Sequence, residues 1–217
     1  MIMGREAIAD KGIWTAKKRY ILNLYDMEGV RYKTPQLKMM GIEAVKSSTP
    51  QVCREKIKDA LNIIMTGDEK MLNTFIQEFR DEFMKLPPEA IAYPRSVNGL
   101  KKFSSSSGMW KSGTPIHCKG ALLYNFLLKK HKLTNKYPLI QDGEKIRFLH
   151  MKQPNIYTTS AFSFITFVPK ELDILDRIDY DEQFTKSFVE PLKFITEKIQ
   201  WRIDDSYGTQ GSLEDFF

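Results

Sequence analysis

The sequence predicts an α+β fold, with a short β-hairpin first, then a mainly helical body that includes a few strands, and a flexible C-terminal tail. Three observations lead to this prediction. Near the start of the chain, a tight turn separates two strand-like segments. Two segments with strong helical periodicity of their apolar residues follow. Two short apolar runs typical of strands lie in the second half. The 217 residues, 42% hydrophobic and 28% charged, suffice for one domain with its own core, or one domain with an appendage.

The first dozen residues contain Gly4 and Gly12 among mixed charges, and we interpret them as an irregular lead-in. Residues 17–41 then predict an antiparallel hairpin. Its turn is Asp26-Met27-Glu28-Gly29, and Val30-Arg31-Tyr32 begins the returning strand.

Two amphipathic helices are predicted next. Thr49-Pro50 is a helix-start signal, because threonine can cap and proline suits the first helical position. The first helix should end at Gly67, and Asp68 can cap the second. The second helix has apolar residues three and four apart on one face until Pro87-Pro88 stops it.

The second half mixes loops, helices and short strands. We predict a loop at 94–115, a helix at Gly120 to Lys130, strands at Lys145 to Leu149 and Ala161 to Val168, and a helical region at 181–201. Pro191 should kink this last region.

Positive charge is concentrated near the start of the chain. The net charge is +6, yet the segment between residues 17 and 46 has a local excess of basic residues. Its basic residues are Lys17, Lys18, Arg19, Arg31, Lys33, Lys38 and Lys46, and its acidic residues are Asp26, Glu28 and Glu43. A local excess of this kind favours a polyanionic partner.

The run Lys17-Lys18-Arg19-Tyr20 precedes a largely apolar segment. On a strand, Lys18 and Tyr20 would share one face and Lys17 and Arg19 the other. A cation beside a phenol suits a sugar-phosphate backbone, which makes nucleic acid the expected ligand. A solvated edge strand, with lysines that discourage aggregation, is the alternative.

Two further segments are candidate phosphate contacts. Lys46, Ser47, Ser48 and Thr49 precede a predicted helix start, where hydroxyls and a lysine bind phosphate well, although they could form only a capped helix start. His117 and Lys119 flank Cys118, and in an extended segment they would share a face. A packed histidine is the alternative there.

The last eight residues fit a clamp-binding pattern, Q-x-x-aliphatic-x-x-aromatic-aromatic. One helical turn would join Leu213 and Phe216 as an apolar plug with Phe217 alongside, while Gln210 supplies a polar anchor. The alternative is that the terminal aromatic residues fold back onto the parent domain.

Four motifs occur in an order that resembles family B DNA polymerases, and most closely those of T-even-type bacteriophages. They are KKRY followed by D-x-E-G, the segment G-I-E-A-V-K-S-S-T-P, the segment H-C-K-G-A-L-L-Y-N, and F-V-E-P-L. The resemblance runs nearly end to end. It implies that residues 1–45 are the C-terminal strip of a palm, 46–203 a thumb, and 204–217 a clamp-binding tail.

The resemblance also implies partners and activity. Lys17 to Tyr20 would contact primer-template double-stranded DNA near the primer end, Lys46 to Thr49 its backbone, and the tail a sliding clamp. The metal-binding palm motifs, the fingers helix and the exonuclease carboxylates of the family have no counterpart here. The expected function is therefore that of a C-terminal fragment or subunit of a DNA-directed DNA polymerase, inactive alone, either half of a split enzyme or a truncated piece. We expect no catalytic residue and no cofactor on this chain, and Mg²⁺ is implied only for the complete polymerase.

Other functional classes are less well supported by the residues. Asp179-Tyr180-Asp181 lies in an acidic stretch at a helix start, where acids complement the helix dipole, so we expect no metal there. Cys53 and Cys118 are far apart and lack metal-binding spacing, which argues against disulfides and zinc. No apolar run approaches the ~18 residues of a membrane span, which predicts an intracellular protein, and the resemblance implies the cytoplasm of an infected bacterial cell. The competing hypothesis is a free-standing, clamp-associated DNA-binding adaptor with no enzymatic partner.

Overall fold

The computed structural model describes residues 6–105 and 109–204. Within these residues the strands are β1 (Ala7–Ala16), β2 (Arg19–Met27), β3 (Val30–Met40), β4 (Tyr93–Ser96), β5 (Lys145–His150) and β6 (Ala161–Phe164). They form two antiparallel sheets, ordered β1-β2-β3 and β4-β5-β6.

The helices of the described residues begin after β3 in the chain. They are α1 (Gln51–Thr66), α2 (Glu69–Phe83), α3 (Pro88–Ile91), α4 (Leu100–Phe103), α5 (Ile116–Lys130), α6 (Tyr180–Phe184) and α7 (Glu190–Thr196). Short 3₁₀ turns lie at Glu43–Val45, Lys170–Leu172, Leu175–Arg177 and Glu197–Ile199, and a π-helical turn lies at Thr185–Val189. This mixture of helices and small sheets confirms the predicted α+β class.

Contacts divide the chain into two compact units. Among the described residues, the first contains 6–46, 53–83 and 185–204, and the second contains 47–52 and 84–184 without 106–108. This division follows contacts rather than the boundaries implied by the resemblance, because most of α1 and all of α2 group with the first sheet. The assignment of palm and thumb stays a prediction.

The first sheet contains the predicted hairpin. β2 and β3 are joined at Glu28 and Gly29, whose φ angles of 52° and 86° are both left-handed, as a type I′ turn requires. The Asp26 carboxylate accepts a hydrogen bond from the Gly29 N–H at 3.0 Å, which closes the turn. The predicted turn position is therefore confirmed.

The prediction of an irregular lead-in is wrong, because residues 7–16 form β1 and make the first sheet three-stranded. Burial alternates along most of this strand, but its apolar residues do not follow the alternation, because Ile8 and Trp14 are exposed and Ile13 is half-buried. A Cβ on Gly12 would lie 2.6 Å from the Trp14 ring, which indicates that the indole lies over this glycine. The glycine that suggested an irregular segment therefore lies inside a strand, beneath an aromatic ring.

The first unit has an apolar core built by α1, α2 and the turns after residue 184. The predicted start and end of α1 are confirmed within one residue, and the Asp68 carboxylate caps α2 by accepting the Met71 N–H at 2.8 Å. Phe188 is fully buried, and its ring centroid lies 4.7 Å from that of Phe79 and 6.5 Å from that of Phe75. Cys53 is a buried free thiol 3.3 Å from the Ser187 hydroxyl.

The second unit packs α5 against β6. Gly120 is a point of close approach, because a Cβ there would lie 2.5 Å from Ser163 Oγ and 2.8 Å from Ser163 N. Buried Gln183 cross-links this unit, since its amide donates to Ile91 O at 2.7 Å and accepts from His150 N at 3.0 Å. The close contact at Gly120 places the N-terminal half of α5 beside the second sheet, and Gln183 ties the residues around α6 to the same sheet.

The predicted loop at 94–115 is partly wrong, because it contains part of β4 and the short helix α4. Pro94 removes one N–H, so β4 is suited to the edge position that it occupies. The helix expected at Gly120 begins earlier, at Ile116, and the strand expected at Ala161 to Val168 ends at Phe164. The helical region at 181–201 is interrupted by the π-helical turn immediately before α7, where Pro191 occupies the first turn.

Candidate nucleic-acid interface

The β1–β2 turn consists of Lys17 and Lys18, whose side chains are both exposed. Lys18 has a φ of 61°, in the left-handed region that tight hairpin turns need. Strand alternation does not extend into a turn, so the prediction that Lys18 and Tyr20 share a strand face is wrong. The two lysines instead form a cationic hairpin tip.

Gly41 fits against this tip. A Cβ on Gly41 would lie 2.4 Å from the Lys18 carbonyl oxygen, and the φ of Gly41 is 66°. Both facts favour glycine, since a side chain would meet backbone rather than a movable side-chain end. The backbone after β3 is therefore packed directly against the hairpin tip.

Tyr20 lies half-buried next to the tip. In the sheet register it pairs with Trp14 on β1 and Met40 on β3, and directly paired residues point to the same face. Trp14 is 64% exposed and Met40 42% exposed. The phenol therefore belongs to an accessible strip of apolar and aromatic side chains.

Arg19 and Lys46 share one carboxylate, that of Glu43. Arg19 Nη2 donates to Glu43 Oε2 at 2.8 Å and to Oε1 at 3.1 Å, and Lys46 Nζ donates to the same Oε1 at 2.7 Å. The first two predicted DNA-binding segments thus meet at one anion. With two cations and one carboxylate, this cluster has a net charge of +1.

The Arg19 guanidinium also stacks on an aromatic ring. Its central carbon lies 4.9 Å from the Phe194 ring centroid, and Lys198 Nζ lies 5.5 Å from the same centroid. Among the described residues, the buried Nε–H of Arg19 has no hydrogen-bond acceptor. Arg19 is therefore held by Glu43 and Phe194, whereas Lys17 and Lys18 extend into solvent.

A cleft of about 350 Å³ lies in the second unit, beside the predicted Ser47-Ser48 pair. Its lining residues are Ser47, Ser48, Pro94, Arg95, Ser96, Lys145 and Ile146. Two are cations, three are hydroxyl-bearing and none is acidic. Cations and hydroxyls are the side chains that bind phosphate oxygens.

Strand pairing builds this cleft. β4 and β5 pair Ser96 with Lys145 and Arg95 with Ile146. Arg95 donates to the Ser48 carbonyl oxygen at 3.3 Å, and its guanidinium carbon lies 5.9 Å from the Tyr93 ring centroid. Arg95 therefore ties the serine segment to the second sheet.

His117 and Lys119 lie in the first turn of α5, not in an extended segment, so the predicted reason for a common face is wrong. Residues two apart on a helix do not face the same way. The His117 ring centroid lies 6.2 Å from that of Phe148, and the His117 carbonyl oxygen accepts a 2.8 Å hydrogen bond from Ser163. Burial and, secondarily, the charge of Arg95 lower the pKa of His117. His117 is thus packed, and it also senses the charge of the cleft.

The acidic stretch at the start of α6 has an ordinary capping role. Asp179 Oδ1 accepts the Glu182 N–H at 2.9 Å. Within the described ranges, His, Cys, Asp and Glu do not assemble into a group of three or more that could hold a metal ion. Across the same ranges, no helix combines the length and apolarity needed to cross a membrane.

The predicted clamp-binding residues Gln210, Leu213, Phe216 and Phe217 lie outside the described residues. Sequence reasoning did not include Arg95, Lys145 or Glu43 among the site residues. Arg95 and Lys145 are fifty residues apart, and only the pairing of β4 with β5 places them at one cleft. A signal for Glu43 existed, because it lies three residues before Lys46 within a short helical turn.

Comparisons with known proteins agree with the motif resemblance. No protein-family model matches the chain. The chain is 33% identical over 210 residues to the DNA-directed DNA polymerase of Enterobacteria phage T4, which covers 91% of this chain and 23% of that protein. It is 35% identical over 230 residues to the DNA-directed DNA polymerase of Escherichia phage RB69, covering 100% of this chain and 24% of that protein.

These alignments confirm the predicted resemblance, because the chain is similar in sequence to a part of two phage DNA-directed DNA polymerases. The similarity to the T4 and RB69 enzymes extends over nearly all of this chain. The chain spans about a quarter of the length of these two relatives.

Proposed function

We propose that this chain is the C-terminal part of a DNA-directed DNA polymerase, where it grips primer-template duplex DNA and tethers the enzyme to a sliding clamp. The observation on which the DNA-gripping role depends is the acid-free cleft formed by Arg95, Lys145 and the serines 47, 48 and 96. Two of its lining residues, Ser47 and Ser48, follow Lys46 directly in the sequence. They belong to the segment that the phage resemblance implicates in contacts with the DNA backbone. The homology to phage polymerases supports the enzyme class.

The cleft suits a phosphate better than a base. Lys145 is exposed and supplies a mobile ammonium group, while Arg95 is half-buried and oriented by its bond to the Ser48 carbonyl. Arginine and lysine form charge-assisted hydrogen bonds with phosphate, and serine hydroxyls add further ones. Contacts of this kind position a duplex and carry little sequence information.

Nucleotidyl transfer is expected to occur elsewhere. The metal-binding carboxylates, the nucleotide-binding fingers and the exonuclease would belong to another chain or to the remaining three quarters that the relatives possess. Mg²⁺ would be held there. This chain would act by retaining the duplex, not by chemistry.

Duplex binding measured against salt tests the DNA-gripping role. The change Lys145→Gln or Arg95→Gln should reduce the log-log salt slope by about 0.9 for each phosphate that the variant no longer neutralises. Arg147→Gln is the matched control, because Arg147 lies on β5 two residues after Lys145 but donates to Glu89 O and does not line the cleft. Equal slopes for the wild type and both cleft variants would contradict the role.

The clamp-tethering role depends on the tail sequence. Gln210, Leu213, Phe216 and Phe217 have the spacing of a peptide that inserts an apolar plug into a pocket. Fluorescence anisotropy with the sliding clamp of a T-even-type phage should detect binding by the wild-type chain. Leu213→Ala with Phe216→Ala should abolish that binding, whereas duplex affinity should be unchanged. Undiminished clamp binding by the double variant would refute the tail assignment.

A further inference from the structure

We propose that Glu43 is a resident counter-anion of the DNA-binding surface, which holds Lys46 in the free protein and competes with a DNA phosphate for it. This inference rests on the proposed DNA-gripping function and adds a positioning and affinity-tuning residue to it. The carboxylate is the unusual feature, because it lies within the segment that otherwise provides cations and hydroxyls.

The geometry distinguishes the two cations that Glu43 binds. Arg19 contacts both carboxylate oxygens and also stacks on Phe194, so it is held from two sides. Lys46 contacts only Oε1, and its side chain is 41% exposed, against 28% for Arg19 and 20% for Glu43. Lys46 is therefore the cation of this cluster that an incoming phosphate reaches first.

The exchange needs only a rotation of the Lys46 side chain. When Lys46 turns toward a phosphate, Glu43 keeps Arg19 as its partner, so the half-buried carboxylate is not left without a cation. Ion pairs at the surface are weak, which makes such an exchange easy. The carboxylate thus moderates the attraction for any polyanion while it keeps Arg19 in place.

The variant Glu43→Gln separates the role of Glu43 in holding Arg19 from its competition with phosphate for Lys46. Glutamine retains the shape and a carbonyl oxygen for Arg19, but it removes the charge that competes for Lys46. We expect duplex affinity at low salt to rise by about 2- to 5-fold, with the gain shrinking as salt screens the pair. Glu190→Gln is the matched control, because it removes one carboxylate from another surface ion pair, with Lys186, whose side chain is also 41% exposed. It should give a smaller gain.

A double-mutant cycle tests whether the gain acts through Lys46. In a Lys46→Gln background, Glu43→Gln should raise affinity by a clearly smaller factor than it does in the wild type, because there is no longer a lysine for which the carboxylate competes, whereas a merely structural role for Glu43 would give the same change in both backgrounds. Thermal melting of each variant reports folding separately. Should Glu43→Gln fail to fold, Lys46→Gln alone decides, because it should lower affinity by a smaller factor than Lys145→Gln.

The possible outcomes distinguish a failure of the inference about Glu43 from a failure of the proposed function. If the wild-type chain binds duplex DNA with a salt slope that Lys145→Gln reduces, but Glu43→Gln gives no gain beyond Glu190→Gln, the inference about Glu43 is overturned and the proposed function stands. A drop in affinity in Lys46→Gln as large as that in Lys145→Gln would also overturn it. If the wild-type chain shows no salt-dependent duplex binding, the proposed function fails, and this inference fails with it.

Discussion

Replacing Gly120 by alanine should destabilise the protein, although helix propensity predicts the opposite. Gly120 lies inside α5, where alanine is favoured over glycine by about 1 kcal/mol. The added Cβ would lie 2.5 Å from Ser163 Oγ, 2.8 Å from Ser163 N and 3.0 Å from the Phe162 carbonyl carbon. Carbon atoms make favourable contacts from about 3.5 Å, so α5 must move away from β6 by roughly 0.7 Å or more.

The expected magnitude follows from this overlap. Overpacking against backbone costs about 1–3 kcal/mol, which lowers Tm by about 2–12 °C for a chain of this size. Differential scanning calorimetry of the wild type and Gly120→Ala measures it. Adding Ser163→Ala should rescue the variant only in part, because the overlap with Ser163 N remains. A Tm for Gly120→Ala equal to or above that of the wild type would refute the close approach of α5 and β6.

Two further variants probe the core and the pH response. Phe188→Ala removes a fully buried ring that contacts Phe79. It should lower the free energy of unfolding, measured by urea titration, by about 3–5 kcal/mol. A decrease of under about 1 kcal/mol would contradict this packing. Folding lowers the pKa of His117 below its unfolded value of ~6.5. Between these two pKa values the unfolded chain binds more protons than the folded chain does. The contribution of His117 to the free energy of unfolding therefore falls as the pH drops through that window. His117→Gln should flatten the pH dependence of stability there, and an unchanged profile by chemical denaturation would count against the lowered pKa.

The sequence predicted best where periodicity and caps agree. α1 and α2 have apolar residues at helical spacing, and their ends are marked by Thr49-Pro50, Gly67 and Asp68. Each signal is local, so no knowledge of the tertiary structure is needed. β1 was missed because its large apolar residues, Ile8, Ile13 and Trp14, lie on both faces of the strand and give no apolar alternation in the sequence, and its pairing with β2 determines its structure.

The candidate site was predicted in part. Ser47 and Ser48 do line a cleft, but the cations beside them come from β4 and β5 and become neighbours only through strand pairing. Arg19 was predicted as a DNA contact, and a sequence cannot reveal that Glu43 and Phe194 hold its guanidinium. Contacts of large sequence separation were therefore the main source of error. The family resemblance rested on short motifs in order, and it was confirmed over nearly the full chain.

Primer extension tests the central claim most directly. The partner would be a T-even-type phage polymerase that retains its exonuclease, fingers and metal-binding palm but lacks the region that matches this chain. Adding the wild-type chain should lengthen the products above those of the partner alone, and the Arg95→Gln/Lys145→Gln variant should give a smaller increase. No increase with the wild-type chain would contradict the account and leave a clamp-associated DNA-binding adaptor as the better description.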